Sequence, residues 1–311
     1  MPENNVLLEI NDLCMDFKSD GGKMVKALRN ITFDIKEGEM FGLVGESGSG
    51  KSTIGKCVIG LYKPTSGQIK YKGVDGKGGK VGKLYGEENN IQMIFQDPMS
   101  SLNPSMKVKD IVREALDVRK VGSSKEEREK IALEWLSKVG ISKELADRYP
   151  DQFSGGQRQR VGIARAMATN PGLIIADECI AALDACVQAQ VINMLNDIKK
   201  ESKTAFLFIS HDLSMVRFLS NRIGVLHLGY LLEIGTADEI FEDPIHPYTK
   251  SLLSAIPKIN PMLWNSDTKL YNPEDAGICY SNGVWHDVTE THRVWCSDSE
   301  YEDWRETDEE E

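Results

Sequence analysis

The sequence predicts an α/β fold in which the α/β core carries an antiparallel β portion and an inserted α-helical subdomain. A short apolar run at 40–44 leads into a glycine-rich loop and then a helical stretch, the order expected of a buried parallel strand and its crossover helix. Further strand-like apolar runs at 91–95, 173–176 and 204–209 each end in polar residues. Helical patterns fill residues 106–148, which predicts the inserted subdomain.

Residues 45–53 have the spacing of a P-loop, G-x4-G-K-[ST]. Glycines let backbone N–H groups curl around phosphates, Lys51 adds a mobile cation, and Ser52 can ligate Mg²⁺. The alternative is a purely structural glycine turn, which the preceding strand and a helix predicted over 53–62 both disfavour. We therefore expect the nucleotide phosphates to contact Gly45, Ser47, Gly48, Ser49, Gly50, Lys51, Ser52 and Thr53.

Two adjacent acids, Asp177 and Glu178, end the apolar run at 173–176. Desolvated like charges repel, so a buried strand rarely ends this way for stability alone. We expect Asp177 to orient Mg²⁺ and its waters, and Glu178 to polarise an attacking water as a general base or an orienter. An ordinary solvated strand end is the alternative interpretation.

Gln96 and His211 also follow strand-like runs. The neutral amide of Gln96 can reach a metal or an attacking water, and His211 could donate to a γ-phosphate. Taken alone, a histidine at a strand end is more often structural than catalytic. The order of the motifs along the chain favours the catalytic interpretation here.

A polar, glycine-rich segment lies just before the strongly helical run at 161–168, and it includes Ser154, Gly155, Gly156 and Gln157. The free N–H groups and the positive dipole end at a helix start form an anion receptor suited to phosphate. Because any Ser-capped helix has these features, the segment indicates phosphate binding only in combination with the P-loop and the acid pair.

In this order, these motifs resemble those of the ATP-binding subunits of ABC transporters, over about residues 6–257. The resemblance implies a P-loop NTPase core of the ABC ATPase type, with ATP and Mg²⁺ as cofactors. It makes 45–53 the Walker A loop, Gln96 the Q-loop residue, 154–157 the signature, 177–178 the Walker B pair and His211 the switch histidine. Metal contacts would come from Ser52, Gln96 and Asp177. Phe17 matches the aromatic residue that stacks on adenine, although it could simply be a core residue ending the first strand.

In that family the signature closes on the ATP held by a partner, so that two ATPases sandwich two nucleotides head to tail. The resemblance therefore implies a second ABC ATPase subunit, in a heterodimer, together with two transmembrane permease subunits. An extracellular substrate-binding protein would be an indirect partner. The expected location is peripheral, on the cytoplasmic face of the cell membrane.

Segments 94–104 and 241–257 look like those of ATPases that serve peptide importers, and the tail is similar to the second ATPase of Gram-positive oligopeptide importers. The alternatives are a nickel importer ATPase and a soluble non-transport ABC ATPase; a P-loop kinase has no reason for the SGGQ segment. Cys179 replaces a common Pro and Ala181 a usual Ser or Thr. Those departures leave open how the two ATP sites communicate, although simple packing is the favoured interpretation of both residues.

The net charge of −11 lies in the tail, where residues 259–311 contain 14 acids and 3 bases. A neutral body and an acidic tail argue against binding to nucleic acid. No apolar run reaches the ~18 residues that cross a bilayer, from which we expect a soluble subunit.

We expect an ABC ATPase domain at 6–257, with the helical subdomain at about 98–157, and an acidic C-terminal extension at 258–311. The end of the extension, 307–311, is expected to be solvated and disordered. Six cysteines show no C-x-x-C pair, and no iron–sulfur cluster is predicted. A Cys₂His₂ metal site is an alternative, although the spacing fits no known finger; its ligands would be Cys279, His286, His292 and Cys296.

Overall fold

The computed structural model describes residues 5–19, 21–75, 90–97, 101–180, 183–256, 271–273 and 277–309. Two sheets and a helical subdomain make up the fold. The antiparallel sheet has the order β2-β1-β4-β5, and its strands are β1 (Val6–Lys18), β2 (Met24–Lys36), β4 (Ser66–Tyr71) and β5 (Val74–Asp75). This sheet is the predicted antiparallel β portion.

The larger sheet has the order β11-β12-β10-β9-β3-β8-β7-β6. Its parallel strands are β3 (Met40–Val44), β6 (Ile91–Ile94), β7 (Leu173–Asp177), β8 (Ala205–Ile209) and β9 (Arg222–His227). Every residue of β3, β7 and β8 is buried, as expected for strands covered on both faces. The carboxyl ends of these strands lie at one edge, which is where ligands bind in open α/β sheets.

The other edge of this sheet is antiparallel, and part of it comes from the tail. Strands β9 and β10 (Tyr230–Thr236) form an antiparallel hairpin. Strand β12 (Arg293–Cys296) pairs with β10, and β11 (Val284–Asp287) pairs with β12. The acidic extension therefore adds two strands to the core sheet, an arrangement that the sequence did not predict.

Helices α2 (Val108–Arg119), α3 (Lys125–Lys138) and α4 (Lys143–Ala146) form the predicted helical subdomain, in which α2 and α3 pack against α5 (Gly155–Ala168). Ser124 caps α3, since its hydroxyl accepts from the N–H of Glu127 at 3.2 Å. The remaining helices beside the sheets are α1 (Lys51–Val58), α6 (Ala185–Glu201), α7 (Leu213–Leu219), α8 (Ala237–Glu242) and α9 (Pro247–Ser254).

Two predictions about helices were wrong. Helix α1 begins before residue 53 and ends before residue 62, because Gly60 adopts a left-handed φ of 76° just beyond it. The chain end is helical up to Glu309, in α10 (Asp298–Glu309), where disorder was expected. Ser297 exchanges capping hydrogen bonds with Glu300, and the Trp304 ring packs 5.0 Å from that of His246, which anchors this acidic helix. Residues 310–311 lie outside the described residues.

Candidate nucleotide site

Three glycines of the P-loop adopt backbone conformations that other residues avoid. The φ angles of Gly45, Gly48 and Gly50 are 144°, 82° and 111°. A Cβ on Gly45 would overlap the carbonyl oxygen of Leu226, and one on Gly50 would lie 2.8 Å from that of Ala27. Glycine is therefore required both for the turn of the loop and for its close approach to neighbouring backbone.

Lys51 is buried at the start of α1. Its Nζ donates to the carbonyl oxygens of Gly45 and Glu46, both at 2.7 Å, and lies 3.4 Å from the hydroxyl of Ser49. Burial lowers the pKa of Lys51, while the nearby carboxylates oppose that effect. A desolvated ammonium whose described hydrogen bonds go to carbonyl and hydroxyl oxygens is available to an anion that enters the loop.

Ser52 and Asp177 meet although they lie 125 residues apart. The Ser52 hydroxyl donates to Asp177 Oδ1 at 2.7 Å, and the side chain of Asp177 is buried. Burial, followed by the charge of Glu178, raises the pKa of Asp177, although the Ser52 hydrogen bond opposes the shift. This buried carboxylate would be stabilised by a cation.

Glu178 is the point where three predicted residues converge. Gln96 Nε2 donates to Glu178 Oε2 at 2.8 Å, and His211 Nδ1 lies 3.5 Å from Glu178 Oε1. Glu178 has a φ of 45°, which is strained for a residue with a side chain, and its N–H donates to the carbonyl of Ile209 at 2.9 Å. The strained backbone lies at the end of β7, where it directs the carboxylate toward Gln96 and His211.

The SGGQ segment forms a capping box at the start of α5. Ser154 Oγ accepts from the N–H of Gln157 at 3.3 Å, and Gln157 Oε1 accepts from the N–H of Ser154 at 3.0 Å. Ser154 and Gly155 are exposed, so this helix start faces solvent. A Cβ on Gly156 would come within 2.6 Å of Val187 Cγ1, which explains why glycine is needed there.

Phe17 lies near the end of β1 and is half-buried. Its ring meets that of Tyr62 edge to face, with 5.2 Å between the centroids. Thr53 follows Ser52 in the first turn of α1. The structure places Lys51 and Ser52 beside Asp177, and it places Gln96 and His211 beside the adjacent residue Glu178.

One contact of the P-loop was missed by the sequence analysis. The hydroxyl of Tyr248 accepts a hydrogen bond from the N–H of Glu46 at 3.0 Å. Gly229 N also donates to the carbonyl of Ser49 at 3.0 Å. The segment 241–257 had been noted only as a family resemblance, and spacing cannot reveal a contact between residues 202 apart.

Of the two residues that depart from the family pattern, Cys179 lies within the described part of the chain and Ala181 does not. Ala181 lies outside the described residues, as do residues 98–100 of the Q-loop segment. Cys179 is buried in the core, and burial raises its pKa to about 12, so the thiol remains protonated. Asp184 caps α6 by accepting from the N–H of Val187 at 3.0 Å.

Three residues of the alternative Cys₂His₂ site have polar or ring contacts of their own, and the fourth, Cys296, is buried in a cluster with Val294. His292 Nε2 lies 2.7 Å from Glu233 Oε1, His286 stacks on Tyr301 with 4.5 Å between ring centroids, and Cys279 contacts Ser281. Within the described ranges, no group of three or more His, Cys, Asp or Glu side chains could hold a metal ion. Over the same ranges, the helices are too short or too polar to cross a membrane.

The sequence matches the ABC transporter family over residues 28–181 and the C-terminal region of oligopeptide/dipeptide transporters over residues 232–276. It is 46% identical to the oligopeptide transport ATP-binding protein OppF of Streptococcus mutans, over 96% of this chain and 98% of that protein. Identity to OppF of Bacillus subtilis is 48%, covering 95% and 97%. The dipeptide transport ATP-binding protein DppF of Lactococcus lactis is 45% identical, with 97% of each chain covered.

Solved structures with a similar fold are ATP-binding cassettes. One is a dimeric post-hydrolysis state of the cassette MJ0796 bound to ADP and Pi, with a TM-score of 0.67 and 31% identity over 74% of this chain and 99% of that chain. Another is cbiO1 from Clostridium perfringens, part of the transporter complex cbiONQ, with a TM-score of 0.66 and 27% identity over 77% and 92%.

Proposed function

The chain belongs to the ABC transporter ATP-binding family, and we propose that its ATP hydrolysis drives the import of short peptides. The observation that carries the peptide assignment is the match of residues 232–276 to the C-terminal region of oligopeptide/dipeptide transporters. Relatives named for oligopeptide or dipeptide transport are 45–48% identical over nearly the whole chain. These names favour peptide import over nickel import and over a soluble non-transport ATPase.

In this proposal the P-loop binds the β- and γ-phosphates of ATP. Backbone N–H groups of residues 47–53 surround the phosphates, and Lys51 turns from the carbonyls of Gly45 and Glu46 toward the nucleotide. Phe17, half-buried beside Tyr62, stacks on the adenine.

Ser52, Asp177 and Gln96 are the proposed Mg²⁺ ligands. The residues present fit the ion, since hydroxyl, carboxylate and amide oxygens are hard ligands and the buried carboxylate of Asp177 already lies against the hydroxyl of Ser52. A bound Mg²⁺ would supply neutralisation of phosphate charge. The hydrogen bond from Ser52 to Asp177 shows that the two proposed ligands lie within reach of one ion.

Glu178 is the proposed general base for the attacking water. Gln96 and His211, at 2.8 and 3.5 Å from its two carboxylate oxygens, orient that carboxylate and the water. His211 is half exposed and so is accessible to a γ-phosphate as a donor. The roles of all three residues are proposed from this geometry and the family resemblance.

The exposed start of α5 supports a role for Ser154–Gln157 at the ATP of a partner subunit. Its free N–H groups and dipole would neutralise γ-phosphate charge when a second ATPase docks head to tail. We propose that this second subunit is a different chain, so that the pair is a heterodimer. The similar cassette structure in dimeric form supports dimerisation.

The remaining partners are a membrane permease, proposed to comprise two subunits, and indirectly an extracellular substrate-binding protein. The chain would lie on the cytoplasmic face of the membrane. We retain 6–257 as the ATPase domain, 98–157 as its helical subdomain and 258–311 as the extension, with the qualification that β11 and β12 of the extension belong to the core sheet.

Peptide uptake by cells that lack the gene tests the assignment. The wild-type chain should restore uptake of a labelled tetrapeptide, Lys51→Ala should not, and Lys203→Ala, which alters an exposed lysine between α6 and β8, should. A gene loss that abolished uptake of ⁶³Ni²⁺ but spared the peptide would contradict the peptide assignment. Co-purification with a tagged chain tests the heterodimer. Recovery of this chain as the single kind of ATPase in the complex would overturn it.

A further inference from the structure

Tyr248 joins the C-terminal part of the chain to the P-loop. It is fully buried near the start of α9, and its hydroxyl accepts from the N–H of Glu46 at 3.0 Å. The carbonyl of the same residue, Glu46, accepts from Lys51 Nζ at 2.7 Å. The backbone of Glu46 is therefore held on its N–H side by Tyr248 and on its carbonyl side by the P-loop lysine.

Tyr248 is itself fixed by rigid neighbours. His246 Nδ1 accepts from the N–H of Tyr248 at 3.0 Å, and the His227 ring stacks on the tyrosine ring at 4.0 Å with an interplanar angle of 16°. The hydroxyl of Tyr280, a residue of the tail, lies 2.8 Å from His227 Nδ1 and makes no described hydrogen bond with Tyr248 or with the P-loop. A side chain packed in this way has one orientation, so it can hold a partner to within a fraction of an ångström.

The hydroxyl of Tyr248 is suited to positioning rather than to proton transfer. Burial raises its pKa, so it stays a neutral phenol at physiological pH. None of its described hydrogen bonds reaches Glu178, Gln96 or His211.

We propose that Tyr248 is a positioning residue of the nucleotide site, which orders the P-loop for phosphate binding by anchoring the N–H of Glu46. Without this acceptor the Glu46 peptide can turn, and the carbonyls of Gly45 and Glu46 that hold Lys51 lose their fixed geometry. Ordering the loop would then add to the cost of binding ATP. The inference rests on the P-loop role proposed above.

The test compares Tyr248→Phe with Tyr280→Phe in the full chain assembled with its partners. Each variant removes one buried hydroxyl from the same aromatic cluster, but only the first removes the acceptor of Glu46. For Tyr248→Phe we expect KM for ATP to rise about fivefold to tenfold, the effect of one lost buried hydrogen bond, while kcat changes less than twofold. Tyr280→Phe should leave KM within twofold of wild type.

Hydrogen exchange of the P-loop separates a lost Glu46 anchor from general destabilisation, because general destabilisation would raise exchange at many amides and not at Glu46 in particular. In the nucleotide-free wild-type chain, the Glu46 amide should be protected, and Tyr248→Phe should remove that protection while Tyr280→Phe keeps it. Free exchange at Glu46 in the wild type would overturn the proposal without any variant. So would a wild-type KM in Tyr248→Phe, or an equal rise in both variants. If the wild-type complex bound no ATP at all, the function proposed for the P-loop would fail instead.

Discussion

Ser52 Oγ donates a 2.7 Å hydrogen bond to Asp177 Oδ1, which joins the first turn of α1 to the end of β7. The hydroxyl is the main partner of a carboxylate whose pKa burial has raised. One neutral hydrogen bond does not fully offset the cost of burying a charged carboxylate, so Asp177 is costly to the free protein. The same carboxylate that is proposed to bind Mg²⁺ therefore lowers the free energy of unfolding of the free protein.

Asp177→Asn should stabilise the nucleotide-free protein at pH 7 while abolishing ATP turnover. Because the folded-state pKa of Asp177 is raised, ionisation favours unfolding, and the penalty grows as pH rises above the unfolded value of about 3.8. Urea unfolding in EDTA at pH 4 and pH 7 should show the variant gaining stability over wild type with rising pH. Asp197→Asn, at an exposed acid on α6, should show no such gain. An Asp177→Asn protein less stable than wild type at pH 7 would contradict the argument.

Glu178→Gln should leave ATP binding intact and lower kcat of the assembled complex by about a hundredfold or more, the contribution of a general base. The amide preserves the shape of the side chain and can still contact Gln96, so binding geometry is kept. The dimer should then remain closed on unhydrolysed ATP, which size-exclusion chromatography with ATP would detect. The control is Glu134→Gln, an exposed acid on α3. Turnover close to wild type would remove Glu178 from the proposed role.

Ser154→Arg should impair hydrolysis in the complex without weakening ATP binding by the isolated chain, because the signature is proposed to act on a partner's ATP. The matched control is Ser124→Arg, since both serines accept a capping hydrogen bond, at 3.3 and 3.2 Å. Each variant should lose about 1 kcal/mol of stability from its helix cap. Only Ser154→Arg should lower kcat, as measured by steady-state ATPase. A sharp fall in the ATP affinity of the isolated Ser154→Arg chain would contradict action in trans.

The parts of the site that could be predicted are those encoded in short stretches of chain. The P-loop is encoded in nine residues by the glycines at 45, 48 and 50, Lys51, and the hydroxyl residues Ser52 and Thr53. The apolar run at 173–176 likewise gives the position of Asp177. The serine caps of α3 and α5 are also local signals. The positive φ of Glu178 has no such signal, since acids rarely adopt that conformation.

The parts that could not be predicted depend on contacts between distant residues. Strand β12 pairs with β10 across about sixty residues, and its sequence of four residues is too short to reveal a partner. The acidic charge of the tail gives no sign of a packed segment, yet Val294 and Cys296 are buried under α10. Net charge describes the exposed residues of a segment and hides the few apolar ones that decide where it packs.

His292 should be essential for the stability of the tail strand. Its Nε2 lies 2.7 Å from Glu233 Oε1, both side chains are fully buried, and Glu233 also accepts from the N–H groups of Ile245 and His246. Removing His292 leaves the buried Glu233 carboxylate without this partner, so His292→Ala should lower the free energy of unfolding by about 3 kcal/mol. His286→Ala, which removes a histidine paired with the exposed Asp298, should cost about 1 kcal/mol. Equal losses in urea titrations of the two variants would contradict this account.

His227 should make the protein less stable in mild acid. Burial beside Tyr248 and Tyr280 lowers its pKa from 6.5 to about 4, so the folded state resists protonation while the unfolded chain accepts a proton below pH 6.5. Stability contributed at neutral pH is therefore lost as pH falls from 6.5 to 4, by about 3 kcal/mol at 1.36 kcal/mol per pH unit.

The variant His227→Gln isolates this effect, because glutamine keeps a polar group near Tyr280 but does not titrate. Urea unfolding at pH 7.5 and pH 4.5 should show the wild type losing more stability than the variant. Other groups titrate in both proteins, so their contributions cancel when the two losses of stability are compared. The exception is His246, because burial and then the charge of His227 lower its pKa to about 3. An identical loss in both proteins would mean that His227 is protonated in the fold, which its buried position against a stacked tyrosine argues against.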